Sequence, residues 1–218
     1  MTNTLTPCPS PLDLPHGLED RYLNNYEALA CLQSECDRLN ESSDREYVIR
    51  VTRLYAVTKL LLDRFAEEGI IVTPRVQTNT AIIDLLVRMP DKRMFALMVR
   101  TSEANLVTWR EDRQQFFLTK KGHGTKASDS LTRSLADLRT IFDLRKRKDP
   151  LVGVTSVERN APLIKAIVLA PGATNSTKNP PTVQSTFGEA DVLKIQSNGT
   201  TYVVEFEQLT KFLLPVQK

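Results

Sequence analysis

The run Ala81-Ile82-Ile83-Asp84-Leu85-Leu86-Val87, a turn at Met89-Pro90-Asp91-Lys92, and a second run Met94-Phe95-Ala96-Leu97-Met98-Val99-Arg100 constrain this chain more than any other feature. Both arms are short, apolar and bounded by turn residues, the pattern of a β-hairpin covered on both faces. It reads as a buried hairpin. Asp84 is its anomaly: a carboxylate there loses its hydration and must be paired, solvated at a cleft or bound to a cation. With the turn centred on Asp91, Asp84 falls opposite Met98, and alternation directs Arg100 to the face of Met98. The three are therefore expected to share one face.

Around the hairpin the pattern is mixed α and β. Residues 1–17 hold Pro7, Pro9, Pro11 and Pro15 and are expected to form a flexible arm. An apolar stripe predicts a helix over 18–39. A second helix runs from a cap at Ser43 or Asp44 to about Glu68, where Gly69 stops it. Strands are expected at 70–76, 81–88 and 93–100, with short ones at 106–109 and 115–119. Residues 120–126 are polar and read as a loop. Leu131, Leu135, Leu138 and Phe142 predict an amphipathic helix over 128–147. The apolar strand at 163–170 then fits a parallel crossover. Residues 171–185 read as a surface loop, 190–195 and 200–206 as a hairpin around Ser197-Asn198-Gly199, and 207–213 as a last turn of helix. The expected division is an arm at 1–17, a helical extension at 18–43 and one α/β domain at 44–218.

A helix followed by a strand bearing Asp84 and a strand ending in Met98-Val99-Arg100 resembles the core of the PD-(D/E)xK nuclease superfamily, and within it the nuclease-related (NERD-type) domains. In that family a helix carrying Glu leads into a strand carrying Asp and then a strand carrying Glu-x-Lys. The resemblance covers residues 44–170. It implies a restriction-endonuclease-like mixed sheet flanked by helices, here with an N-terminal helical extension and a C-terminal β-hairpin. It places Glu46, Asp84, Met98 and Arg100 in the catalytic positions, and in an active member Asp84 would hold Mg2+ or Mn2+.

The residues in those positions change the chemistry. A thioether is a soft, weak donor, so Met98 cannot replace the carboxylate that magnesium requires. Arg100 can stand near a phosphate but cannot act as a base, because its guanidinium stays protonated. Asp84 is expected to pair with Arg100 or with a backbone donor, and no cofactor is required. Glu46 has a plain reading too, since acids favour the first turn of a helix. If activity survived, Glu103 would be the displaced acid and Lys120 or Lys121 the displaced lysine.

The formal charge of +3 and pI of 8.8 do not by themselves imply nucleic-acid binding, but the distribution does. Lys120, Lys121, Lys126, Arg133, Arg139, Arg145, Lys146, Arg147 and Lys148, set against Asp129, Asp137 and Asp143, give this stretch about +6. Cations at a helix C-terminus stabilise the helix, which accounts for part of 145–148 but not for the lysines before the helix. Trp109, beside Arg110 and Arg113, is a candidate for base stacking or for the core.

Cys8, Cys31 and Cys36 form neither a disulfide framework nor, with His16 and His123, a zinc spacing. No signal peptide, membrane span, phosphate loop or dinucleotide fingerprint is visible, so a cytoplasmic setting without membrane contact is expected. The sequence reads as a non-catalytic nucleic-acid-binding protein whose partner is DNA or another nucleic acid. A divergent metal-dependent DNA endonuclease and a protein interaction module are the alternatives, and a protein partner or homodimer is compatible with either.

Overall fold

A computed structural model of the chain describes residues 25–39, 45–77, 82–100, 106–113, 115–119, 125–127, 163–175, 183–196 and 200–215. Helices α1 (Asn25–Leu39) and α2 (Arg45–Phe65) lead into β1 (Ile71–Gln77), β2 (Ile82–Arg88) and β3 (Met94–Val99). On α2, Val51, Leu54, Val57, Thr58, Leu61, Leu62 and Phe65 recur three and four residues apart and are buried. After a 3-10 turn at Ala66–Glu68, Gly69 takes φ 87° and donates its N–H to Ala66 O, a left-handed stop that suits a residue without Cβ.

The expected hairpin is present. β2 and β3 are antiparallel, in register from Leu85↔Leu97 to Arg88↔Met94, and Met89 N–H donates to Arg93 O across the turn. Next come β4 (Leu106–Arg110), β5 (Gln115–Thr119), β6 (Thr125–Ala127), β7 (Leu163–Val168), β8 (Thr174–Asn175), β9 (Val183–Phe187), β10 (Ala190–Gln196), β11 (Thr200–Val204) and a short helix α3 (Leu209–Leu213). Among the described residues, seven strands form one sheet in the order β1-β2-β3-β7-β11-β10-β9. β7 lies parallel to both β3 and β11, while the other pairs are antiparallel, so this is an α/β fold with a mixed sheet. A smaller sheet, β6-β5-β4-β8, falls within the chain's course from β3 to β8.

Two apolar layers hold the main sheet. On one face α1 and α2 cover Val72, Leu85, Val87, Phe95, Leu97, Val99, Ala166 and Val168; on the other, Val107, Trp109 and Phe116 of the small sheet cover Leu86, Met94, Ala96, Met98 and Ile167. Each fully buried large side chain contributes about 1.5–3 kcal/mol by leaving water. Phe95, Phe187, Tyr202 and Phe212 stack edge-on or tilted and tie α3 to β3, β9 and β11.

The open edge of β1 is closed locally. Asn25 donates its amide to Ile70 O (2.6 Å) and accepts from Val72 N–H (3.0 Å). Pro74, two residues on and so facing the same edge, has no N–H to offer a further strand.

Two expectations need correction. The loop expected at 171–185 contains β8 and the start of β9, because the polar run Val183–Phe187 pairs with β10 through the tight turn at Gly188 and Glu189. The loop expected at 120–126 ends in β6, which pairs with β5. The Pro-rich arm, the helix expected over 128–147 and the turn at 197–199 lie outside the described residues.

Candidate functional site

Asp84 sits in mid-strand and its side chain is 3% exposed. Its two oxygens are held from two directions. Oδ1 lies 2.9 Å from Arg50 Nη2, and Oδ2 accepts the N–H of Val99 at 2.8 Å. That backbone donor would have met Ile83 had the β2–β3 ladder continued, but the register stops at Leu85↔Leu97. The carboxylate thus replaces a ladder carbonyl where β2 and β3 part, and the ion pair compensates its lost hydration.

The distortion behind this geometry is visible in β1. Its register runs through Pro74↔Leu85 and Val76↔Ile83 but omits Arg75 and Asp84, and Arg75 has φ 54°. A left-handed residue rotates the strand locally, and such a conformation persists only where its surroundings impose it. Here the Arg75 guanidinium is received by Glu35 of α1 through both nitrogens at 3.0 Å. Tyr47 of α2 donates its hydroxyl to the same carboxylate. Burial pushes the Glu35 carboxyl up, but the hydrogen bonds from Arg75 and Tyr47 and the charges of Arg75 and Arg38 outweigh it and hold it below its ordinary value. The hydrogen bond it donates to Glu35, and then burial, raise the Tyr47 phenol.

The site expected from the sequence is therefore only partly assembled. Asp84 does find a backbone donor, but its arginine is Arg50, not Arg100. Asp84 and Met98 do not share a face: Asp84 reaches toward α2, whereas Met98 packs in the apolar layer on the other side. The reason is the break in alternation, since Ile83 joins Met98's layer while Leu85 and Val87 join the helical one. Arg100 is largely buried, and its N–H donates to Val168 O. Glu46 is the second residue of α2, with its side chain outside the described residues.

Glu103, Lys120, Lys121, Arg133, Arg139, Arg145, Lys146, Arg147 and Lys148 also lie outside them. Lys126 is on β6, opposite Leu118 in register. Trp109 is 3% exposed and packs on Phe116, which answers the choice between core and base stacking in favour of the core.

Glu35, Tyr47, Arg50 and Arg75 were not singled out by sequence reading, although two of them carry a signal. Arg50 falls four residues before Leu54 and seven before Val57, at the exposed end of the buried stripe of α2. Glu35 falls between Leu32 and Leu39 in that of α1. A charge inside an apolar stripe must meet an opposite charge on the surface it covers.

Chemically, this set does not fit a divalent cation. Both Asp84 oxygens are engaged, a guanidinium occupies the approach from α2, and a hard cation gains little from the Met98 thioether. Among the described residues no group of three or more His, Cys, Asp or Glu side chains is placed to hold a metal, and no helix is long and apolar enough to cross a membrane. No family model matches the chain, and no curated protein or solved structure matches it either.

Proposed function

We propose that this chain is a non-catalytic nucleic-acid-binding protein built on a degenerate, restriction-endonuclease-like fold. The observation that carries the non-catalytic part is the closure of Asp84 by Arg50 and Val99 N–H. In an active member of the resembled family that carboxylate would bind metal, and here an internal cation takes the charge instead. The order of helix α2, strand β2 with Asp84 and strand β3 with Met98-Val99-Arg100 supports the family reading, as does the parallel placement of β7 beside β3.

The nucleic-acid part rests on charge. The segment 120–148, at about +6, lies in the connection between the parallel neighbours β3 and β7. Lysines and arginines concentrated in one connection suit the phosphate backbone, which rewards positive charge without regard to sequence.

Binding of duplex DNA measured across a salt series tests this. Neutralising about four phosphates gives a slope of log affinity on log salt near −3.6, a loss of about a hundredfold between 50 and 200 mM. Replacing Arg145, Lys146, Arg147 and Lys148 together should flatten the slope. Absence of binding at low salt, or an unchanged slope in that variant, would favour a protein interaction module.

A further inference from the structure

The outward face of the small sheet carries an aromatic ring that belongs to neither apolar cluster of the described residues. Alternation on β4 and β5 turns Val107, Trp109 and Phe116 inward, with the Trp109 and Phe116 rings 4.8 Å apart. The cross-strand pair Thr108↔Phe117 therefore faces out. Phe117 is half-buried, and neighbouring Leu106 is exposed. Two guanidinium groups border the ring, Arg110 at 5.7 Å and Arg113 at 5.8 Å from its centroid. Their side chains are 47% and 58% exposed. Both guanidinium groups lie over the ring within the roughly 6 Å of a cation–π contact, on exposed side chains that can turn from it toward a phosphate. Asp112 ties them in place, at 3.0 Å from Arg110 and 3.8 Å from Arg113. From Thr119 the sequence continues into Lys120 and Lys121.

We infer that this face binds single-stranded nucleic acid, with a base stacked on Phe117 and the adjoining phosphates taken by Arg110 and Arg113. The inference rests on the nucleic-acid reading above and adds the strand type and the residues. A base inside a duplex is already stacked on both sides and cannot reach a ring on a sheet surface. An unpaired base can, and every base offers a π face, so the contact is tolerant of sequence. The charge fits as well. Asp112 occupies the two guanidinium groups when nucleic acid is absent, and a phosphate takes its place with a geometry arginine favours. If Phe117 served only as apolar cover for the sheet, a leucine would do as well.

The test is fluorescence anisotropy of the full chain with a labelled oligothymidylate, a duplex of the same length and an RNA strand of the same length. Phe117→Leu should weaken single-strand binding by about tenfold and leave duplex binding unchanged, while Phe117→Tyr retains wild-type affinity. Asp112→Asn, a substitution on an exposed side chain that leaves the core alone, should tighten single-strand binding and steepen its salt dependence. Circular dichroism verifies that each variant is folded.

Unchanged single-strand affinity in Phe117→Leu, or in Asp112→Asn, would overturn the inference. So would equal losses for single strand and duplex in Phe117→Leu, while the tighter of the two wild-type single-strand complexes assigns the sugar. If wild type binds duplex but the Phe117 variant behaves like it, only this inference fails. If no nucleic acid binds at low salt, the underlying reading fails with it.

Discussion

Arg75 and Asp84 are the two residues skipped between Pro74↔Leu85 and Val76↔Ile83 in the β1–β2 register, and each is held by a helix instead of by the other. Arg75 is received by Glu35 of α1, and Asp84 by Arg50 of α2. The strand pair is prised open at one position, and the opposite charges that would have met there anchor two helices to the sheet. A carboxylate that the family resemblance assigns to metal binding thus has a structural use.

The first consequence concerns stability. Asp84→Ala leaves Val99 N–H without its acceptor and Arg50 without its partner, which should cost about 2–3 kcal/mol. Asp84→Asn keeps an acceptor and should cost less. Arg50→Ala strands a buried anion, but the Arg50 side chain is 52% exposed, so water can enter on that side and the loss should stay near 1 kcal/mol. Urea unfolding of the single and double variants measures the coupling. A double variant equal to the sum of the singles would show that the two groups do not interact.

Arg75 allows a comparison in which the lost ion pair cancels. Both Arg75→Ala and Arg75→Gly remove the contact with Glu35, but only glycine adopts φ 54° without cost. Glycine should be the more stable of the two by about 1 kcal/mol. Alanine equal to or better than glycine would mean that the strand relaxes to an ordinary conformation once the guanidinium is gone.

The anchoring of α1 should depend on pH. The Glu35 carboxyl is held below its ordinary value near 4.5, so its contribution is complete above that pH and is lost as pH falls through the lower folded value. The Tyr47 phenol is raised above 10.0, so its contribution is complete below that value and is lost as pH rises beyond it. Between these limits the contact is intact. Thermal unfolding of wild type and Glu35→Gln from pH 7 to pH 3 should show a steeper acid loss in wild type. Parallel curves would remove Glu35 from the account.

Much of this fold was legible in the sequence because local rules agreed. The period of α2, the glycine that ends it, and the turn between β2 and β3 each specify one structure, and β7 followed from its apolar run. β9 was not legible: it is polar, and its pairing with β10 depends on Gly188, whose position a Cβ would occupy only 2.5 Å from Lys211 O. The candidate site was legible as an anomaly and not as a geometry. Asp84 stood out, but alternation was carried through a position where Arg75 interrupts it, so the wrong arginine was matched to it. Nothing local to Arg75 announces a left-handed strand residue; a contact with Glu35, forty positions away, accompanies it.

The purified protein should not cleave DNA with magnesium or manganese. A catalytic cation would have to displace Arg50 from Asp84 and would then find one carboxylate, a backbone N–H that repels it, and a thioether packed in the opposite apolar layer. Freeing the carboxylate with Arg50→Ala removes the competing charge but supplies no second hard ligand, so that variant should be inactive too. Restoring the family residues by Met98→Glu with Arg100→Lys would place the new carboxylate on the face away from Asp84, where the two cannot share a metal. The decisive measurement is cleavage of duplex and single-stranded DNA with manganese by wild type beside Asp84→Ala. Cleavage by wild type that vanishes in Asp84→Ala would overturn the non-catalytic reading, and Arg50 would then be a group that leaves the site when metal and substrate bind.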